Sequence, residues 1–114
     1  MTPAKFTVTK MGAHTFIALQ ESITYLNCAE LETHLQEVIA GNQSVLILDF
    51  KAAGFLDSMA LEMLLRLQDS VRERGGQLKI TGLNAVCRDI LLSTRLINQF
   101  QIYADLQGAL EETL

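Results

Sequence analysis

The spacing of hydrophobic residues changes along the chain between a strand pattern and a helix pattern. Two short β-prone stretches, residues 6–8 and 16–19, flank Met11-Gly12-Ala13, and this arrangement predicts an opening hairpin. Val45-Leu46-Ile47-Leu48 is continuously apolar and is followed by Asp49. Such a run is typical of a central strand that is covered on both faces.

Two amphipathic helices are predicted around this central strand. The first begins at Asn27, which has the spacing of a capping box with Glu30, and it ends at Gly41. The second follows Ser58 and ends before Gly75-Gly76. Their apolar stripes are Cys28, Leu31, Leu35, Val38 and Ile39 in the first, and Ala60, Met63, Leu64, Leu67 and Val71 in the second.

The second half of the chain continues the alternation of strands and helices. A strand is predicted through Leu78, Ile80 and Leu83, and a third helix over residues 86–91. A last short strand spans residues 100–103, and a C-terminal helix starts near Asp105. The order ββαβαβαβα predicts a single α/β domain with a mainly parallel sheet, right-handed crossovers and an antiparallel edge.

Length and charge limit the classes of function. A chain of 114 residues fits one domain, which we expect to span 1–114. No run approaches the about 20 apolar residues that cross a membrane, and Met1 to Lys10 lacks the features of a secretion signal. A net charge of −4 argues against a nucleic-acid partner and against direct membrane insertion or binding. We expect a soluble cytoplasmic protein.

Catalytic and metal-binding patterns are missing from the sequence. The two histidines, His14 and His34, have no Cys or His at ligand spacing, and Cys28 and Cys87 are interpreted as small buried thiols. Asp49 and Asp57 would meet at the carboxyl end of the sheet, but no base or cofactor motif accompanies them. We therefore predict no enzyme activity, no cofactor and no metal.

Ser58 is the main candidate for function. It stands where the central strand gives way, through a loop containing Gly54, to a long helix. Unpaired amides and the helix dipole at that position would accommodate a phosphoryl group. The alternative interpretation is that Asp57 or Ser58 serves only as an N-cap, a position that both residue types favour.

Several segments resemble the STAS domains, which are typified by bacterial anti-sigma-factor antagonists and also occur in sulfate transporters. The resemblance is most specific over residues 46–50 and 55–61, and it extends to residues 75–80 and 86–91. It implies the STAS fold, with the helices packed chiefly on one face of the sheet.

The resemblance also implies a mechanism of signalling. Ser58 falls on the serine that a partner kinase phosphorylates, and Asp57 on the acid before it. In the antagonist group the unphosphorylated protein binds an anti-sigma factor that is also its serine kinase, which frees the sigma factor for transcription. Phosphorylation ends that association, and a serine phosphatase resets the cycle. The chain would then be a phosphoprotein and a partner-switching module.

Three features depart from the family pattern. Met59-Ala60 replaces a small residue and a glycine, the loop at residues 21–24 lacks the usual Gly-x-Leu-Asp, and Arg95 stands where a glycine is common. The segment at residues 25–30 is similar to transporter-linked members. These departures keep open two alternatives, namely a non-catalytic subunit or adaptor of a membrane transport system and a scaffold subunit in a stress-signalling assembly.

A partner-binding surface follows from the preferred hypothesis. It combines the start of the second helix with the neighbouring loop. The predicted contact residues are Thr24, Tyr25, Asp57, Ser58, Met59 and Glu62.

Overall fold

The computed structural model describes residues 5–41 and 45–111. The elements are β1 (Phe6–Met11), β2 (His14–Leu19), α1 (Cys28–Ala40), β3 (Val45–Asp49), α2 (Ser58–Glu73), β4 (Gln77–Thr81), α3 (Ala85–Ser93), β5 (Gln101–Tyr103) and α4 (Leu106–Glu111). A short 3₁₀ helix, Ile97–Gln99, precedes β5. The predicted order ββαβαβαβα is confirmed, while the expected domain span also includes residues 1–4, 42–44 and 112–114, which lie outside the described residues.

The five strands form one sheet in the order β1-β2-β3-β4-β5. The hairpin pair β1 and β2 is antiparallel, and every other pair is parallel. Gly12 allows the tight connection between β1 and β2 because it adopts a φ of 63°, a left-handed value that glycine reaches without a Cβ clash. The predicted mainly parallel sheet with an antiparallel edge is therefore confirmed.

The two faces of the sheet are covered unequally. One face packs against α1, α2 and α3 and holds the main core, which includes Leu46 and Leu48 of β3. The other face holds a smaller cluster in which Val45 and Ile47 pack with Ala109 of α4. The central strand is thus buried on both sides, as its continuous apolar sequence predicts. Three of the four helices lie on one face, in agreement with the STAS arrangement.

The capping box predicted at the start of α1 is wrong. The Asn27 side chain bonds to residues that precede it in the chain. Its Oδ1 accepts from the Thr24 amide at 2.9 Å, and its Nδ2 donates to the Ser22 carbonyl at 2.9 Å. The carbonyl of Thr24 accepts the Cys28 amide at 2.9 Å. Because this turn supplies the acceptor for the first helical amide, Asn27 stabilises the preceding loop instead of capping the helix.

Two further sequence features are explained by backbone conformation. Leu83 lies outside β4, because Gly82 adopts a φ of 74° and ends the strand. A Cβ on Gly82 would collide with the Asp49 carboxylate, so the close approach of the two strand ends requires a glycine. Arg95, where the sequence resemblance led us to expect glycine, has a φ of 63°, which costs about 1 kcal/mol in a residue with a Cβ.

Helix α4 is attached to the sheet through Lys79, a fully buried residue of β4. Its Nζ donates to the Ala109 carbonyl at 2.6 Å and lies 5.1 Å from the centroid of the Tyr103 ring. The buried ammonium group is thereby compensated by a helix carbonyl and an aromatic face.

Candidate functional site

Helix α2 begins at Ser58 and is capped by the carboxylate of Asp57. Asp57 has an extended backbone, and its Oδ1 accepts from the Ala60 amide at 2.9 Å. The Asp57 carbonyl accepts the Leu61 amide at 3.1 Å. The N-cap interpretation of Asp57 is confirmed, and it leaves the neighbouring Ser58 as the first residue of the helix.

The loop before α1 is joined to the loop before α2 by backbone hydrogen bonds. The Ile23 amide donates to the Phe55 carbonyl at 3.1 Å, and the Asp57 amide donates to the Ile23 carbonyl at 3.2 Å. A side-chain bond continues this contact, because Oδ2 of Asp57 accepts from the Tyr25 amide at 2.6 Å. The two segments that sequence reasoning assigned to one partner surface are therefore adjacent.

Exposed apolar side chains surround the start of α2. Tyr25 is 67% exposed and Leu26 79%, while Phe55 and Met59 are 46% and 47% exposed. Below them the loop is anchored by Ile23 and Leu56, both buried and linked by a parallel β-bridge. An exposed group of large apolar residues on a firmly anchored loop is typical of a protein-binding surface. We call Tyr25, Leu26, Phe55 and Met59 the apolar rim.

Ser58 lies exposed beside this rim. Its own amide and that of Met59 donate to no acceptor among residues 5–41 and 45–111. Both amides belong to the first turn of α2, where the helix dipole favours negative charge. The hydroxyl group of Ser58 is thus accessible, and the adjacent backbone offers two donors for oxygens attached to it.

Two acidic residues lie close to Ser58 at the start of α2. Asp57 precedes it, and Glu62 lies one turn further along the exposed face of α2, at the i, i+4 spacing that brings side chains together. The nearest cation on this helix face, Arg66, is held by Glu32 through hydrogen bonds of 3.0 and 2.9 Å. That bond to Glu32 raises the pKa of the Arg66 guanidinium. A phosphoryl group on Ser58 would therefore add negative charge to an acidic surface.

Cys28 lies buried below this surface, in the first turn of α1. Burial raises the pKa of the Cys28 thiol, and the negative charge of Asp57 raises it further. Cys87 is buried in the first turn of α3, and burial alone raises the pKa of its thiol. Both are free thiols, as the sequence predicts, and their raised pKa values favour the unreactive protonated form.

The predicted carboxylate pair does not form a site. Asp49 accepts the Lys51 amide at 3.1 Å and lines an open cleft of about 430 Å³ at the ends of β3 and β4, together with Thr81 and Asp105. Asp57 is engaged with Tyr25 and Ala60 instead and does not line that cleft. The two carboxylates therefore have different structural tasks, Asp49 at the end of β3 and Asp57 at the start of α2.

The described ranges contain neither a cluster of metal ligands nor a helix that could span a membrane. No group of three or more His, Cys, Asp or Glu side chains in 5–41 and 45–111 is placed to hold a metal ion. In the same part of the chain, every helix is too short or too polar to cross a bilayer. His34 is half-buried, with its ring centroid 5.7 Å from that of Phe6.

The predicted contact residues differ in exposure, and two exposed apolar residues of the rim were not among them. Thr24 is half-buried and structural, since its hydroxyl accepts the Leu26 amide at 3.2 Å, whereas Tyr25, Met59 and Glu62 are exposed. Leu26 and Phe55 were not predicted as surface residues. Both are large apolar residues in loops, and neither belongs to the apolar stripe of a predicted helix or strand. That isolation is the sequence feature that could have indicated their exposure.

A family model for the STAS domain matches residues 5–109, which is most of the chain. The chain belongs to the STAS family. No curated protein sequence matches it significantly. The STAS fold that the sequence resemblance implied is thus confirmed.

Solved STAS structures share the architecture at low sequence identity. An anti-sigma factor antagonist from Mycobacterium paratuberculosis superposes with a TM-score of 0.84 at 21% identity, covering 94% of this chain and 91% of that one. The anti-sigma factor antagonist SpoIIAA in its unphosphorylated form gives a TM-score of 0.70 at 13% identity, covering 94% and 96%.

A membrane transporter also contains this fold. The structure of murine solute carrier 26 family member A9, an anion transporter, matches with a TM-score of 0.74 at 17% identity. The match covers 90% of this STAS chain but only 18% of the transporter. The fold is therefore shared between antagonists and a part of a much larger membrane protein.

Proposed function

We propose that this STAS protein is an anti-sigma-factor antagonist that works by partner switching. In its unphosphorylated form a single STAS domain, expected to span 1–114, binds an anti-sigma factor that is also a serine kinase. The apolar rim supplies the contact, and Ser58 beside it is the residue that the kinase modifies. The observation that carries this proposal is the exposed hydroxyl of Ser58 beside four exposed apolar side chains.

The modification is a phosphoryl transfer from ATP held by the kinase. The Oγ of Ser58 forms a bond to the γ-phosphorus while the bond from that phosphorus to the ADP oxygen breaks. The hydroxyl proton passes to a base of the kinase, since Ser58 has no histidine next to it in the sequence. A serine phosphatase reverses the state by hydrolysing the phosphate ester.

Charge explains how the phosphate would release the partner. It adds about −1.5 to −2 charge at the centre of the contact. The surface already carries Asp57 and Glu62, and the nearest cation on this face of α2, Arg66, is engaged by Glu32. Desolvating an unpaired charge against a partner costs several kcal/mol, and about 1.4 kcal/mol already lowers affinity tenfold. Release therefore requires no change of fold.

The complementary partner has a recognisable chemistry. It would offer an apolar depression for Tyr25 and Leu26 and basic side chains opposite Asp57 and Glu62. The net charge of −4 favours association with a basic surface. In this proposal the protein acts in the cytoplasm as a substrate and a binding module, without catalysis of its own.

The alternative function is a non-catalytic subunit or adaptor of a membrane transport system. The likeness to the murine anion transporter favours it, because that protein includes a region with this fold. Ser58 would then be structural, and substitution there would alter assembly without any phosphate being present.

A pull-down with matched variants tests the proposal. Wild-type protein, Ser58→Ala, Ser58→Asp and the control Ala85→Asp are incubated with lysate of the source organism and ATP, and the bound proteins are identified by mass spectrometry. Ala85 is the first residue of α3 and exposed, so Ala85→Asp adds the same charge at an equivalent helix position.

The expected result is an ATP-binding serine kinase that is retained by wild type, Ser58→Ala and Ala85→Asp and lost, at least about tenfold, by Ser58→Asp. Phosphate should appear on Ser58 of the wild-type protein, and Ser58→Ala should carry none at this position. Equal retention by Ser58→Asp would overturn the switch, and transporter subunits bound equally by all four proteins would establish the alternative.

A further inference from the structure

The carboxylate of Asp57 has two separate tasks. Its Oδ1 accepts from the Ala60 amide at 2.9 Å and caps α2, while its Oδ2 accepts from the Tyr25 amide at 2.6 Å, 32 residues away in the chain. The cap alone requires only one oxygen. The second oxygen is free to hold the loop that carries half of the apolar rim.

The Tyr25–Leu26 turn is closed by hydrogen bonds within its own loop, between Thr24 and the residues Asn27 and Cys28, and the bond to Asp57 ties it to the loop before α2. The side chains of Tyr25 and Leu26 are 67% and 79% exposed, so core packing does not position them. The Leu26 amide bonds only within the turn, to the Thr24 hydroxyl at 3.2 Å. By contrast, Ile23 and Cys28 on either side are buried. The bond from the Tyr25 amide to Asp57 therefore sets where this turn, with its two exposed side chains, lies relative to the start of α2.

The start of α3 provides a natural comparison. Asn84 caps it in the same way, since its Oδ1 accepts from the Cys87 amide at 2.8 Å. Its other polar atom is a donor, Nδ2, which lies 3.4 Å from the Gly54 carbonyl. An Asn at this cap position can accept only through one atom, whereas Asp57 accepts through both. The choice of Asp at the start of α2 is thus matched to the Tyr25 amide.

We propose that Asp57 is the positioning residue for the Tyr25–Leu26 turn, and that a phosphate on Ser58 loosens this turn. The proposal rests on the function proposed above and assigns a second route by which phosphorylation acts on the partner. The new dianion lies on the residue next to Asp57 and has the unbonded Ser58 and Met59 amides within the same helix turn. Its charge repels the Asp57 carboxylate and competes for the donors around it.

The consequence is a switch with two parts. The phosphate itself introduces charge into the contact, and it also withdraws the support that keeps Tyr25 and Leu26 in position. A partner with an apolar depression for these residues would then meet a charged surface and a disordered turn. Reordering the turn on binding would then cost additional conformational entropy.

Amide hydrogen exchange measured by NMR tests the proposal on the intact chain. Four proteins are compared: wild type, protein with phosphoserine incorporated at position 58 during expression, Asp57→Asn, and the control Asn84→Ala. Asp57→Asn keeps the size of the side chain and leaves one acceptor for two amides. Asn84→Ala removes the equivalent cap of α3 and leaves Asp57 untouched.

The Tyr25 amide should exchange at least about tenfold faster in Asp57→Asn and in the phosphorylated protein than in wild type. It should be unchanged in Asn84→Ala. The Ile23 and Phe50 amides, which bond to the carbonyls of Phe55 and Thr81, report on the fold and should keep their protection in all four proteins. Faster exchange at Tyr25 alone supports a local release.

Unchanged exchange of Tyr25 in the phosphorylated protein would overturn the proposal, as would unchanged exchange in Asp57→Asn. Binding of the same phosphorylated protein to its kinase partner separates this failure from failure of the proposed function. Loss of the partner with a protected Tyr25 amide refutes only the coupling. Retention of the partner with an exposed Tyr25 amide refutes partner switching and leaves the role of Asp57 in place.

Discussion

The starts of α2 and α3 are built alike but prepared for different tasks. Each follows a strand of the parallel sheet, and each is capped by an Asx side chain that accepts an amide three residues later. After the cap, α2 has Ser58 and α3 has Ala85, and the next residues, Met59 and Val86, are 47% and 51% exposed. Cap geometry and apolar exposure are thus common to both helices.

The difference lies in the hydroxyl group, the charge of the cap and the loop that the cap holds. Only α2 combines a modifiable side chain with a carboxylate that reaches Tyr25 in another loop. An exposed apolar residue at a helix start is therefore not enough to identify a functional surface. The comparison teaches that the combination of these three features is what distinguishes the candidate site.

The largest expected effect comes from removing the two caps. Asp57→Ala loses two hydrogen bonds to a charged group and should lower the free energy of unfolding by about 2 kcal/mol, whereas Asn84→Ala should cost about 1 kcal/mol. Urea denaturation followed by circular dichroism measures both. Equal losses in the two variants would show that the bond to Tyr25 contributes nothing to stability.

A smaller effect is expected for the exposed apolar residues. Met59→Ala should weaken binding of the kinase partner by about 1 kcal/mol, roughly fivefold, because a half-exposed thioether becomes covered in the complex. Val86→Ala, with the same exposure on α3, should leave affinity within about twofold of wild type. Isothermal titration calorimetry measures both affinities, and a larger loss for Val86→Ala would move the contact surface to α3.

The smallest effect concerns the two buried thiols. The charge of Asp57 contributes to the raised pKa of Cys28, while burial alone raises that of Cys87. Asp57→Asn removes a negative charge, which favours the thiolate and shifts the labelling of Cys28 by a thiol reagent to lower pH. Single-cysteine variants labelled over a pH series measure the shift. A parallel shift of Cys87 would indicate general loosening instead of a local charge effect.

Much of the fold was predictable because its signals are local and repeated. The continuous apolar run of β3, the stripe of α2 and the hairpin at Gly12 each follow from periodicity or from one special residue. The α1 capping box failed for a physical reason, since the turn at Thr24 supplied the acceptor that Asn27 was expected to provide. Residue spacing alone does not show which of two competing acceptors an amide will use.

The candidate site was predictable in part. Asp57 and Ser58 follow from the strand-loop-helix pattern, whereas the exposure of Leu26 and Phe55 depends on how two loops are joined by long-range hydrogen bonds. The burial of Lys79 was likewise beyond sequence reasoning, because its partner Ala109 lies on α4, 30 residues away. Loop positions and buried charges depend on tertiary contacts that leave no periodic signal.

The consecutive strand order has a consequence for how the protein is made. Each strand pairs with its neighbour in the chain, so the sheet can grow in the direction of synthesis. The loop with Tyr25, the cap at Asp57 and Ser58 all lie between His14 and Glu73, the segment made of β2, α1, β3, α2 and the loops that connect them. On the ribosome, these elements emerge before α3 and β5. The residues of the candidate site therefore leave the ribosome before the last third of the chain.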